Sequence, residues 1–233
     1  MLRFSPVLLA VVYALVMYRF STWRLHRELD ARSNPLLDAR LTRLFDRMAD
    51  SLDLPQIQVL IYEIEPVNGL AAPDGRIFIT RGFYRRFLSG EVSAEELASV
   101  VAHELGHVAL GHARRRMIDF SGQNALRTTL MMMLGRFLPF GGAGIAPLLA
   151  ALLTTLLGAR LSRQDEYEAD AYAAALLTRS GIGIAPQKSL FRKLEMMAGH
   201  AGGRVPAWLM SHPRTDARIT ALEQIEERWN RRP

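Results

Sequence analysis

The chain has 233 residues, 49% of them hydrophobic and 22% charged, a composition that excludes a disordered polymer. It contains no cysteine, which removes disulfide frameworks and thiolate metal sites and leaves any metal to the 6 histidines and 23 acidic residues. The 29 Lys+Arg give a net charge of +6, but they are scattered without aromatic interleaving, so nucleic acid is not an expected partner.

The mean hydropathy, +0.05, is high because apolar residues are concentrated in two stretches. The first is N-terminal. Val7 to Tyr18 carries no charge, and Phe4 to Phe20 is interrupted only by Ser5, Pro6 and Arg19. About 15 to 17 apolar positions lie near the lower limit for a spanning helix. A cleaved signal peptide and a buried helix are the rival readings. Arg19, Trp23, Arg24 and Arg27 stand where a small-x-small cleavage site would be, which favours an uncleaved anchor over residues 1–24. The excess of arginine behind the segment is expected to put the following domain on the cytoplasmic side of the membrane.

Residues 34–50 carry Leu37, Leu41, Leu44, Phe45 and Met48 at helical spacing, opened by Asn34-Pro35. Residues 56–64 and 75–80 read as strands joined through the turn-rich NGLAAPDG. Ser93-Ala94-Glu95-Glu96 fits a capping box at the head of a long helix. The second apolar stretch, about 125–160, is divided by Pro139, Gly141, Gly142, Gly144 and Pro147 into two arms. A hairpin in the bilayer, two buried helices and a membrane-touching flap all fit it. Helices follow at about 162–179, 185–198 and 213–229. The pattern predicts a mainly α protein with a small β-sheet (α+β), as one domain over about 34–230 behind the anchor.

The informative segment is His103-Glu104-Leu105-Gly106-His107 within the capped helix. Residues four apart share a helical face, so both imidazoles can reach one zinc ion while Glu104 addresses a water on it. His112, five residues past His107, is expected to face elsewhere as a structural residue. A catalytic site needs a third ligand, from histidine or a carboxylate. Asp165-Glu166-Tyr167-Glu168-Ala169-Asp170 offers four carboxylates, of which Glu166 and Asp170 share a face and Glu168 points away. A plain complement to the helix dipole is the competing reading of that run.

HELGH at 103–107 with the Glu166-to-Asp170 spacing in EYEADAYA resembles the HtpX-like family of membrane-associated zinc metallopeptidases, which includes CAAX-type proteases. Asn68 to Ala71 with Gly75 to Gly82 is similar to that family's edge strand, and Ser211-His212-Pro213 with Arg218-Ile219 to its C-terminal segment. The departures are Gly69 and Asp74 in the edge segment and the single N-terminal apolar stretch. The resemblance spans about residues 35–225. It implies a zincin-like domain holding one zinc ion on His103, His107 and Glu166, with Glu104 as general base. It implies Asp170 and Arg218 behind the ligands, and His212 near the metal as an oxyanion stabiliser or a latch on the open coordination position. The strand Arg76-Ile77-Phe78-Ile79 is expected to bind an extended polypeptide by strand addition. The implied activity is endopeptidase quality control of misfolded or membrane-proximal proteins, with membrane lipid as a further partner. A narrow-specificity processing protease and a zinc-stabilised scaffold or chaperone without turnover are the alternatives.

Overall fold

The structure is a computed structural model that describes residues 16, 19–20, 22–72, 74–112, 162–200, 206–212 and 215–231. Of the expected anchor only 16, 19, 20 and 22–24 fall among these, and the apolar stretch at 125–160 lies outside them. Among the described residues no helix is long and apolar enough to cross a membrane.

The architecture is mainly helical with one small mixed sheet. Helical residues 22–31 (α1) lead into β1 (Ser33–Pro35), then α2 (Ala39–Ser51), β2 (Val59–Tyr62), β3 (Gly69–Ala71) and β4 (Ile77–Thr80). There follow α3 (Arg81–Leu88), α4 (Ala94–Ala109), α5 (162–179), α6 (Ala185–His200), α7 (Ala207–Ser211) and α8 (Thr215–Asn230). The sheet order is β1-β2-β4-β3, with β2 and β4 parallel and both outer pairs antiparallel.

Strand alternation divides the apolar residues between two clusters. Val59, Ile61, Ile77 and Ile79 belong to the main core with α4, whereas Tyr62 and Phe78 join Leu29 of α1 and Ala72 on the opposite face. The α1 helix is further tied to the sheet by Tyr62 Oη, which donates to Glu28 Oε1 at 2.7 Å, and by Arg76 Nη1, which donates to Asp30 Oδ1 at 2.7 Å.

Two expectations change here. Asn34-Pro35 does not open α2; those residues pair with β2, and Asp38 caps the helix by accepting from the backbone of Arg40 and Leu41. Leu37, ahead of that cap, is therefore 87% exposed and lies outside the buried stripe Leu41, Leu44, Phe45, Met48. The strand at Arg76–Ile79 cannot take up a peptide by strand addition. Ile77, Phe78 and Ile79 are already paired on both sides, to β2 and to β3, and are fully buried, while Arg76 is engaged by Asp74 and Asp30. The edge strands are β1 and β3, and β3, which packs against α4, comes from within the segment that reads as a turn.

α4 runs through the middle of the domain against α2, α6, β3 and β4. Every residue from Glu96 to His107 is buried. A helix so enclosed shows little amphipathic contrast, and its polar groups need partners. Glu96 has them: the capping box closes in both directions with Ser93, Lys193 Nζ donates to it at 2.8 Å and Ser189 Oγ at 2.6 Å. The histidines and Glu104, further along, find theirs in the site.

Candidate active site and metal centre

Four buried side chains from three parts of the chain converge. His103 and His107 extend from successive turns of α4, Glu166 from α5, and His212 from the C-cap of α7. Their nearest donor atoms all lie within 4.8 Å of one another. His103 Nε2 is 3.1 Å from His107 Nε2 and 3.4 Å from Glu166 Oε2, and His107 Nε2 is 3.5 Å from Glu166 Oε1. Zinc bonds of about 2.0–2.1 Å at tetrahedral angles put neighbouring donors about 3.3–3.4 Å apart, and the two imidazole nitrogens and the Glu166 carboxylate, one oxygen facing each ring, stand at close to that spacing. His212 Nδ1 lies 3.4 Å from His103 Nε2 and 2.6 Å from Glu166 Oε2.

Charge fits a divalent cation as well as distance does. Glu104, Glu166 and Asp170 are buried around the cluster with one guanidinium, Arg218. Three carboxylates against one guanidinium leave two negative charges when the imidazoles are neutral and one when His212 is protonated, an excess that a cation would offset. Burial, reinforced by the charge of His103, pushes His107 down to about 3, which keeps the ring neutral with a lone pair to give. Burial also works against ionised Glu104 and Glu166, but hydrogen bonds and charge from the surrounding histidines outweigh it and hold both carboxyls below their ordinary range. For His212 burial opposes protonation, yet Glu104 and Glu166 prevail and raise it to about 9. Glu104 Oε1 faces His212 Nε2 at 3.5 Å.

Behind His103 stands a clamp. Asp170 Oδ1 is 3.0 Å from His103 Nδ1, and the Asp170 carboxylate accepts two bonds from Arg218, Nε at 2.6 Å and Nη2 at 2.7 Å. Burial acts against both charges, and each still favours the other's ionised form. Arg218 also donates from Nη1 to the His212 carbonyl at 3.1 Å and lies over the contacting Phe191 and Trp208 rings, 4.5 and 4.9 Å from their centroids. Trp208 anchors α7, its backbone N–H donating to Val67 O at 3.0 Å.

The structure thus brings His103, Glu104, His107, Glu166, Asp170, His212 and Arg218 together, and leaves Arg76, Ile77, Phe78 and Ile79 in the sheet. It also places groups that sequence reasoning set aside. His112 does not face elsewhere: α4 ends at Ala109, Gly111 takes φ +65°, and the chain turns back so that His112 Nδ1 lies 2.7 Å from His107 Nδ1. The glycine after the last helical turn was the available signal. His112 Nε2 in turn is 3.2 Å from Glu168 Oε2 and 3.9 Å from Asp165 Oδ1, so Glu168 points towards the site's periphery. Trp208 and Phe191, which hold Arg218, carried no local signal.

Gly106 sets the distance between α4 and α5. A Cβ there would stand 3.0 Å from Ala169 Cα and O and 3.3 Å from Tyr172 Cβ. Gly106→Val is therefore expected to force the helices apart, lower stability by about 1–3 kcal/mol, and separate Glu166 from the histidine pair. Thermal unfolding and zinc titration of the variant check this; wild-type zinc affinity would show that the crossing does not govern the site.

A family model described as Peptidase family M48 matches residues 35–226. Metalloprotease LoiP of Escherichia coli (strain K12) is 29% identical over 183 residues, covering 78% of this chain and 68% of that protein. A Protease HtpX homolog of Acidiphilium cryptum (strain JF-5) is 32% identical over 179 residues, covering 67% of this chain and 56% of that protein. The Beta-barrel assembly-enhancing protease of Escherichia coli (strain K12) is 31% identical over 195 residues, covering 80% of this chain and 38% of that protein. The chain therefore spans between 38% and 68% of the length of these relatives.

Proposed function

We propose that this chain, which belongs to peptidase family M48, is a zinc endopeptidase that cuts unfolded or membrane-proximal polypeptides. Membership makes it a metalloprotease with polypeptide substrates. The observation that carries the zinc reading is the convergence of His103, His107 and Glu166 donors at tetrahedral spacing beside an uncoordinated Glu104.

In this reading His103, His107 and Glu166 hold one zinc ion, which lends Lewis acidity and brings the pKa of water towards about 7. Glu104 accepts the proton of the attacking water on its carboxylate and passes it to the nitrogen of the departing amine. His212, placed beside Glu104 and Glu166, would donate to the carbonyl oxygen as that oxygen gains charge. Asp170 and Arg218 fix the ring orientation of His103. Substrate pairs with β3, the free edge beside α4, where the position of a Gly69 Cβ is 3.7 Å from Glu104 Cγ. Backbone pairing selects extended chains with little regard to their side chains, as suits removal of misfolded proteins. Residues 1–24 anchor the domain at 34–230 in an inner membrane with its active side cytoplasmic, and the apolar stretch at 125–160 meets lipid.

The test is metal removal. The purified full chain should carry one zinc ion and hydrolyse casein. A chelator should abolish hydrolysis, and stoichiometric zinc should restore it. Hydrolysis that persists in the stripped chain would refute the reading.

A further inference from the structure

We propose that His112 is a positioning residue for His107, the middle member of a hydrogen-bonded series running from Glu168 through His112 to a metal ligand. The inference rests on the reading of His107 as a ligand through Nε2, and proton accounting carries it from there.

A histidine that gives its Nε2 lone pair to a metal must carry its proton on Nδ1. That N–H needs an acceptor because the ring is buried. For His103 the acceptor is the Asp170 carboxylate, 3.0 Å from Nδ1. For His107, among the described residues, His112 Nδ1 stands at hydrogen-bond distance from Nδ1, at 2.7 Å. An accepting Nδ1 obliges a neutral His112 to hold its own proton on Nε2. That proton points to Glu168 Oε2, at 3.2 Å, whose other oxygen accepts from Gln164 Nε2 at 2.8 Å. One choice, ligation through His107 Nε2, thus fixes both tautomers, and every member then meets a partner of the opposite kind. The rings of His107 and His112 stand at 72° with centroids 4.9 Å apart, and His112 is fully buried, so neither ring can rotate freely about its bond.

The same accounting argues against His112, Asp165 and Glu168 as a second metal site, although their donors lie close enough. If Nε2 gave its lone pair to an ion, the proton would move to Nδ1 and face the N–H of His107, donor against donor. The two ligand histidines are therefore supported differently. A carboxylate clamped by Arg218 backs His103 directly, and a neutral imidazole relays a partly exposed carboxylate to His107.

The experiment compares zinc affinity, by competition with a chelating dye, for the full-length wild type, His112→Leu and His112→Asn. Leucine fills space without accepting a hydrogen bond. Asparagine presents an acceptor oxygen near the original Nδ1. Loss of a second-sphere partner typically costs about 10- to 100-fold in metal affinity, and that loss is expected for leucine, with asparagine recovering most of it. Should the leucine variant fail to fold, the 15N side-chain spectrum of the zinc-loaded wild type decides: His107 protonated on Nδ1 and His112 on Nε2 supports the proposal. His112 protonated on Nδ1 overturns it, as does wild-type affinity in a folded leucine variant or equal losses in both variants. A wild type that binds no zinc refutes the ligand assignment itself, a result distinct from these.

Discussion

Glutamine in place of Glu104 is expected to lower peptide turnover by about 10²- to 10⁴-fold while the chain keeps its zinc. The side chain keeps its shape and most of its contacts but can no longer take a proton. Glu104 lies outside the converging donor set, its Oε1 facing His212 Nε2 at 3.5 Å, so metal binding does not depend on it. The substitution removes one of three carboxylates that burden the buried cluster, and the fold should tolerate it. Metal content by atomic absorption and casein hydrolysis, measured on the same preparation, separate the two effects. Turnover equal to the wild type's would remove Glu104 from the chemistry, and loss of zinc would make it a ligand instead.

What could be read from sequence is what depends on spacing along one helix. The positions of His103 and His107 on α4, the Glu166–Asp170 pair on α5, and the Ser93 capping box are all consequences of 3.6-residue periodicity and local hydrogen bonding. What escaped depends on the chain returning to itself. β3 is three residues long and pairs only because β4 is beside it, so Gly69–Ala71 carries turn chemistry and no strand pattern of its own, and only the family resemblance marks it as an edge strand. α3 is eight residues, too short to establish a period, though Thr80 caps it by accepting from Phe83 N–H. His112 followed the helical rule one turn too far, and the positive φ of Gly111 is where the rule stops. Hydropathy marks residues 76–80 as a strand but carries no information on their rank in the sheet, where they lie inside, between β2 and β3.

Replacing Arg218 by leucine should be the most damaging single change to stability near the site, about 3–5 kcal/mol. The guanidinium is buried against two aromatic rings, and its loss strands the Asp170 carboxylate in a dry interior. Of Asp170's other neighbours, Gln187 Nε2 at 3.3 Å is a neutral donor and His103 Nδ1 is committed to one oxygen. For a domain of 150–250 residues each kcal/mol moves Tm by about 2–4 °C, so a fall of about 6–20 °C is expected. Acid sensitivity follows with a definite sign. Arg218 keeps the Asp170 carboxyl below its ordinary value of 3.8 in the fold. The pair's contribution is thus present above that value and fades as pH falls through the depressed one. In Arg218→Leu the main opposition to burial is gone and only His103 still favours the carboxylate, so Asp170 binds its proton at higher pH and this part of the acid limb shrinks. Adding Asp170→Asn to Arg218→Leu removes the stranded charge, so the double variant should regain stability relative to Arg218→Leu alone. Zinc affinity should not recover with it, because His103 then has only a neutral acceptor behind Nδ1 and no guanidinium holding that acceptor in place. Stability and metal affinity moving apart across this cycle is what a clamp acting through His103 requires. If the two moved together, Asp170 and Arg218 would be packing elements that merely lie beside the metal ligands.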